Sequence, residues 1–317
     1  MQAVLTPEQD MIADTLQRLA AGGPQRARAV LNGQLPSAGP TDELMAGWRL
    51  LGLPESVGGT GDMIGAALLA EALGQAIEPG PFLAHFQALH ALAGAGAALD
   101  AIGEGEVATL VDGDGIGRGG AVDWLVIGAE DRWRLARPAG AVAVQSIDPC
   151  CPLARHTAGE TVSEAADGGQ GRARVQVLLA AEACGVGRGA LAIAADHART
   201  REQFGRPIGA YQAIAHRLAQ AMADLEAAWS LVLHAAWAVD DEPAAAGLAA
   251  AMAKAAAGDA AIQAAEACIQ THGGMGITRE ADPHLYLKRA LAIDARFGRS
   301  AALHAEVGAA RLAAIAA

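Results

Sequence analysis

Apolar residues return at intervals of three and four along most of the chain, a spacing that predicts helices at both ends. Thr6 and Pro7 open the first one, after which Met11, Ile12, Leu16 and Leu19 fall on one face, until Gly22, Gly23 and Pro24 end it. A loop is expected over 36–40 and a short helix at Leu44, Trp48 and Leu51. A turn follows at Gly58, Gly59, Thr60 and Gly61, then helices over 63–76 and 82–98 with Pro79, Gly80 and Pro81 between them. Between about 105 and 170 the pattern shortens. Residues 107–111, 124–127, 133–135 and 142–147 read as strands of a small antiparallel sheet, separated by Gly, Asp and Pro.

From residue 172 onward the helical spacing resumes. Ile214, Leu218, Met222, Leu225, Trp229, Val232 and Leu233 trace one face of a long amphipathic helix that ends at Asp240, Asp241, Glu242 and Pro243. A second long helix is expected over 244–271, with Gly247 and Gly258 suggesting close contact between helices. Asp282 and Pro283 start another, which stops near Phe297 and Gly298 before a last helix. The pattern predicts an α+β, mostly α fold in three parts. These are an N-terminal helical domain (1–104), a reduced antiparallel β-domain (105–170) and a C-terminal four-helix bundle (171–317).

Composition narrows the functional classes. The 317 residues are 52% hydrophobic but only 3% aromatic, so Ala, Leu and Gly fill the core. A net charge of −12 argues against unaided binding to nucleic acid or to an anionic membrane. Cys150, Cys151, Cys184 and Cys268 have no metal-ligand spacing and read as free thiols in a reducing cytoplasm. No signal peptide is expected at the N-terminus. The uncharged stretch 79–99 carries His85, His90 and several Gly and is not expected to span a membrane. Gly115, Gly117 and Gly120 match the dinucleotide pattern G-x-G-x-x-G, but a strand-like run at Trp124 follows where that pattern needs a helix. The stretch reads as a Gly-rich hairpin loop.

Two corners carry the candidate chemistry. The first runs from Arg201 through Gln203, Phe204, Gly205, Arg206, Pro207 and Ile208 to Gln212. The second runs from Gln270 through Gly273 and Gly274 to Gly276. Both follow long helices, whose C-termini are the negative ends of their dipoles, so an anion bound there would need Arg201 for its positive charge. A planar guanidinium and glycines that let backbone N–H groups approach suit an anion. Taken singly, the same residues could simply cap their helices.

At family spacing, Arg-x-x-Phe-Gly-x-Pro-Ile and Gln-x-x-Gly-Gly-x-Gly resemble the signatures of the acyl-CoA dehydrogenases. The run of His284, Leu285, Tyr286, Leu287, Lys288 and Arg289 and the opening Leu5, Thr6, Pro7, Glu8 and Gln9 fit the same family. The resemblance covers nearly the whole chain. It implies α,β-dehydrogenation of an acyl-CoA to a trans-2-enoyl-CoA with FAD as cofactor and electron-transferring flavoprotein as electron acceptor. It further implies that Arg201, Gln203, Phe204, Gln270, Gly273 and Gly274 contact a flavin held mostly by a neighbouring subunit.

Two departures refine the expectation. The position where many members carry their proton-abstracting Glu is Phe297. The alternative family position, near the start of the helix leading to Arg201, holds Val175 and Gln176. Glu182 and Asp294 are weak substitutes, and Glu280 reads as structural. The β-domain also lacks the family's Thr-Glu-Pro-x-Ala-Gly-Ser-Asp-like segment and does not recreate its Trp-containing strand. This resembles the short non-catalytic subunit of heteromeric (α2β2) bacterial acyl-CoA dehydrogenases of steroid side-chain degradation. The partner expected is a related subunit that carries the Glu. A homomeric dehydrogenase with a displaced carboxylate and a non-enzymatic helical scaffold remain as alternatives.

Overall fold

In the computed structural model, which describes residues 5–34, 44, 46–129, 132–167 and 169–316, the chain opens with helix α1, Pro7–Ala20. A reciprocal cap sets its start: the Gln9 N–H donates to Thr6 Oγ1 (3.2 Å) and the Thr6 N–H to Gln9 Oε1 (3.0 Å). Leu16 is buried, whereas Met11, expected on the same face, is 64% exposed. The Gly-Gly-Pro break after α1 also begins helix α2, Gly23–Leu31, which the periodicity had not suggested. The loop expected at 36–40 and part of the short helix expected at Leu44 lie outside the described residues. Helices α3 (Met63–Gln75) and α4 (Phe82–Ala91) follow, and α4 ends earlier than expected, with α5 (Gly96–Asp100) resuming beyond Gly94.

Five strands form one sheet: β1 (Ala108–Val111), β2 (Ile116–Arg118), β3 (Trp124–Ala129), β4 (Arg132–Val144) and β5 (Leu153–Ala166), in the order β1-β3-β4-β5-β2. The pairings are antiparallel as expected except β1 with β3, which run parallel. The strands expected at 133–135 and 142–147 are one strand. Pro138, read as a break, lies in a run of register shifts between Leu135 and Gly140, where a bulge accommodates a residue without an N–H. Strand β5 was not anticipated, because Gly159, Glu160, Thr161 and Val162 are all exposed and show no apolar–polar alternation. The Gly-rich stretch, read as a hairpin loop, itself forms β2, whose Gly117 pairs with Ala154 of β5; β3 and not a helix follows, which removes the structural context for a dinucleotide fingerprint.

The C-terminal region holds α6 (Gln170–Thr200), α7 (Gln212–Asp241), α8 (Pro243–His272), α9 (Pro283–Asp294) and α10 (Ser300–Ala316). The first three pack against one another, α9 closes a fourth side against α6 and α8, and α10 lies on α8. Helix α3 crosses α6 at near backbone contact. A Cβ on Gly74 would lie 2.2 Å from the Glu182 carbonyl oxygen, and one on Gly185 would lie 1.9 Å from that of Glu71. Of the two glycines expected to mark close contacts in α8, Gly258 does so, 2.3 Å from Ser300 Oγ by the same measure, while nothing lies within 4 Å of Gly247. One buried apolar cluster joins Leu16, Phe86, Trp124, Leu178, Leu225 and Ile293 across helices and sheet.

Two helical stretches, Gln170–Thr200 and Pro243–Ile277, are long and apolar enough to cross a membrane. Buried residues make up 83% and 61% of their apolar windows, so they act here as core helices. Helix α8 also buries Lys254 completely, with the Gly298 carbonyl 3.5 Å from Nζ. Burial lowers its pKa from 10.5 to about 8, against the opposing influence of Asp294. Below pH 8 the folded and unfolded chains both carry the charge, and folding bears the full desolvation penalty. Between 8 and 10.5 the folded chain loses its proton first and the penalty fades. Lys254→Met should therefore add about 2–3 kcal/mol of stability near pH 7 in urea unfolding, an advantage that should shrink as pH nears 10.5. An advantage independent of pH would contradict this account.

Candidate functional site

Helix α6 ends where Arg201 turns extended (φ −77°, ψ 121°), its N–H donating to the His197 carbonyl at 2.8 Å. Two short strands, Glu202–Gln203 and Arg206–Pro207, then pair antiparallel around a two-residue turn. Both turn residues, Phe204 (φ +53°) and Gly205 (φ +79°), are left-handed, as the tightest hairpins require. Phenylalanine rarely adopts that conformation, and this one is also 92% exposed. The turn is braced from below: Tyr211 Oη donates to the Gln203 carbonyl (3.0 Å), and the Arg206 guanidinium lies 4.0 Å from the Tyr211 ring centre. Arg201 and Gln203 are exposed.

Helix α8 ends at His272, and Gly273 (φ +62°) begins a short 3-10 turn, Gly273–Ile277. Gln270, Gly273 and Gly274 are exposed, and a Cβ on Gly205, Gly273 or Gly274 would have no neighbour within 4 Å. His272 Nδ1 hydrogen-bonds the Cys268 carbonyl (2.9 Å), and its ring stacks on His197 with centroids 4.2 Å apart. That stack puts the two corners side by side at one end of the bundle. The His197 pKa is lowered, first by burial, then by His272 and Arg201.

At the expected base positions there is no acid. Gln176 Nε2 on α6 donates to the Phe297 carbonyl after α9, at 2.9 Å, so the two alternative locations adjoin in space. Val175 is fully buried, and the Phe297 ring lies 6.3 Å from that of Trp133. Glu182 is buried and accepts from Gln87 Nε2 (3.1 Å), with Arg289 Nη1 at 3.6 Å. Burial pushes its pKa up, with Arg289 opposing. Asp294 Oδ1 accepts from the Ser300 N–H (2.9 Å) and hydroxyl (2.6 Å), which closes the start of α10. Glu280 is exposed, and its carbonyl accepts from Arg28 (2.8 Å). Among the described residues, no group of three or more His, Cys, Asp or Glu could hold a metal.

The sequence reading missed a buried polar cluster in which Arg289 Nε meets Asp148 Oδ2 (2.5 Å), beside Glu182 and Gln87. Its one signal was a charge inside an otherwise apolar helix face at Arg289. Burial disfavours the Arg289 charge, but Asp148, Cys151 and Glu182 outweigh it and raise the pKa. A cavity of about 510 Å3 adjoins this cluster.

Residues 171–313 match the family model described as "Acyl-CoA dehydrogenase, C-terminal domain". The chain is 34% identical to the acyl-CoA dehydrogenase IpdE2 of Mycobacterium tuberculosis over 90% of its own length and 92% of that protein. Two solved structures share the fold. A chain of the Tcur3481-Tcur3483 steroid ACAD G363A variant superposes with a TM-score of 0.80 at 23% identity, covering 98% of this chain and 99% of that one. One of the ChsE4-ChsE5 complex from Mycobacterium tuberculosis gives 0.81 at 22%, covering 97% and 98%.

Proposed function

Because the chain belongs to the acyl-CoA dehydrogenase family, we propose that it is the non-catalytic subunit of a heteromeric, FAD-dependent acyl-CoA dehydrogenase. It lends Arg201, Gln203 and Gln270 to the pyrophosphate of a flavin held by a related chain that carries the catalytic Glu. FAD, when bound, supplies the hydride acceptor for forming a trans-2-enoyl-CoA, and electron-transferring flavoprotein takes up the electrons. The residues of the two corners fit a pyrophosphate. Arg201 is exposed with its planar fork available, and Gly273 and Gly274 leave their backbone open to close approach. Phe204 offers an apolar face to the adenosine part.

One observation carries the reading. The 2.9 Å bond from Gln176 to the Phe297 carbonyl joins both places where a base is expected, and neither bears a carboxylate. A phenyl ring and an amide cannot remove a proton at neutral pH, whatever the substrate pose. The comparison with one structure described as a steroid ACAD and another described as a complex of two different chains supports a bulky acyl group and a two-chain assembly.

Co-expression with a related, Glu-bearing subunit should give one flavin per pair of different chains. Arg201→Ala should lower flavin retention about tenfold or more while the chains still co-purify, through loss of a charge-assisted contact. Unchanged retention, or an isolated chain that is fully flavinated and oxidises acyl thioesters, would sink the proposal. A homomeric enzyme using Glu182 is the second reading, favoured by the position of Glu182 on the cavity wall. It requires activity in the isolated chain that Glu182→Gln abolishes.

A further inference from the structure

A pair of imidazoles joins the two corners at their bases. His197 lies one turn before Arg201, at the end of α6, and its carbonyl accepts the Arg201 N–H (2.8 Å). His272 is the last residue of α8 and directly precedes Gly273. The two rings stack with centroids 4.2 Å apart and 19° between their planes. Both residues are half-buried, so protons from solvent reach them. A carbonyl oxygen can only accept, so the contact of His272 Nδ1 with the Cys268 carbonyl (2.9 Å) keeps a proton on Nδ1 and leaves Nε2 as the basic nitrogen. The His197 ring makes no hydrogen bond with any described residue.

The charges around this stack are one-sided. Arg201 follows His197, and Cys268 Sγ lies 3.8 Å from His272 Nδ1. Tyr211, at the start of α7, is turned to the Gln203 carbonyl. Asp196 pairs with Arg199, Asp282 pairs with Arg28, and Glu202 of the hairpin is exposed. Among the described residues only His304 has a carboxylate within ion-pair distance, so neither ring of the stack has an anion beside it. Burial, His272 and Arg201 hold the His197 pKa down. An anion on Arg201 cancels the last of these influences and adds an attraction of its own. Two positive rings at this separation repel strongly, so the stack takes up one proton and not two.

We propose that the His197–His272 stack is the proton-accepting part of the flavin phosphate site: an anion bound at the two corners draws one proton onto the stack, and the imidazolium adds its charge to that of Arg201. This rests on the pyrophosphate lying at those corners, as proposed above. The pyrophosphate of FAD is fully ionised throughout the neutral range, so the proton passes from solvent to the protein and not to the cofactor. Occupancy raises the pKa of the stack. The added affinity is therefore complete below the pKa of the empty site and is lost as pH rises through that of the occupied one.

The test is calorimetric titration with FAD, at pH 6 and pH 8, of the flavin-stripped complex between this chain and its Glu-bearing partner. Binding should be about fivefold or more tighter at pH 6, within the roughly hundredfold that one linked proton allows over two pH units. Titration in two buffers of different ionisation enthalpy counts the protons, and up to about one per flavin should be taken up near pH 7. His197→Gln with His272→Gln should abolish both the pH dependence and the uptake. Equal affinity at the two pH values, no proton uptake, or a pH dependence that survives the double variant would overturn the proposal. The proton count needs no variant, so it decides the matter even if the double variant fails to fold. Arg201→Ala separates this proposal from the one it rests on. Weaker FAD binding in that variant, with no proton uptake in the native complex, removes the role of the stack alone. Unchanged FAD binding removes both.

Discussion

Arg289→Met should lower folding stability by about 3–5 kcal/mol in urea unfolding, the scale seen when one partner of a buried ionic cluster is removed. Arg289 is 5% exposed; its Nε lies 2.5 Å from Asp148, and its Nη1 lies 3.6 Å from Glu182 and 3.3 Å from the Glu78 carbonyl. Methionine fills much of the volume but leaves two buried carboxylates without the cation that contacts both. Burial alone already pushes the Glu182 pKa up, and loss of Arg289 removes the largest influence opposing it. Adding Asp148→Asn and Glu182→Gln to Arg289→Met should recover part of the loss, because the penalty belongs to uncompensated charge and not to a hole. A loss below about 1 kcal/mol would mean that water reaches the cluster and the ionic account is wrong.

Gly185→Val should cost about 3 kcal/mol, at the upper end of overpacking effects. The first side-chain carbon would lie 1.9 Å from the Glu71 carbonyl oxygen and 2.7 Å from the Gln75 nitrogen. Both are backbone atoms of α3, so no rotamer change relieves the clash and the whole helix must shift. Gly247→Ala in α8 is the matching control. With nothing within 4 Å of the new methyl group, helix propensity alone should act and add about 0.5–1 kcal/mol. Equal effects of the two substitutions in thermal and urea unfolding would show that the α3–α6 crossing is not at backbone contact.

Much of the fold could be read in advance because its helices are long and strongly periodic. Thr6 and Pro7 mark the start of α1, and Asp240 to Pro243 mark the change from α7 to α8, since caps and prolines act locally. The sheet was harder. Pro138 forbids a ladder hydrogen bond only where a strand is regular, and bulges remove that condition; β5 is exposed through 159–162, and its only buried positions, Ala154 and His156, are a small and a polar residue that carry no apolar alternation. The two corners stood out through their Gly, Pro and Arg residues. That they adjoin depends on the stacking of His197 on His272, a contact between helix ends that no local pattern encodes. The same holds for Gln176 and Phe297, and for the partners of Arg289, which come from a loop, a helix and a carbonyl far apart in the chain.

The loop joining β4 to β5 is pinned at two points. Asp148 is held by Arg289, and the Cys150 thiol donates to the Ala27 carbonyl (3.2 Å). Residues 145–147 of that loop also wall the cavity. The ribbon therefore behaves as a riveted panel and not as a swinging door. Swinging it aside would first require a buried ion pair to part, so the loop should open only rarely.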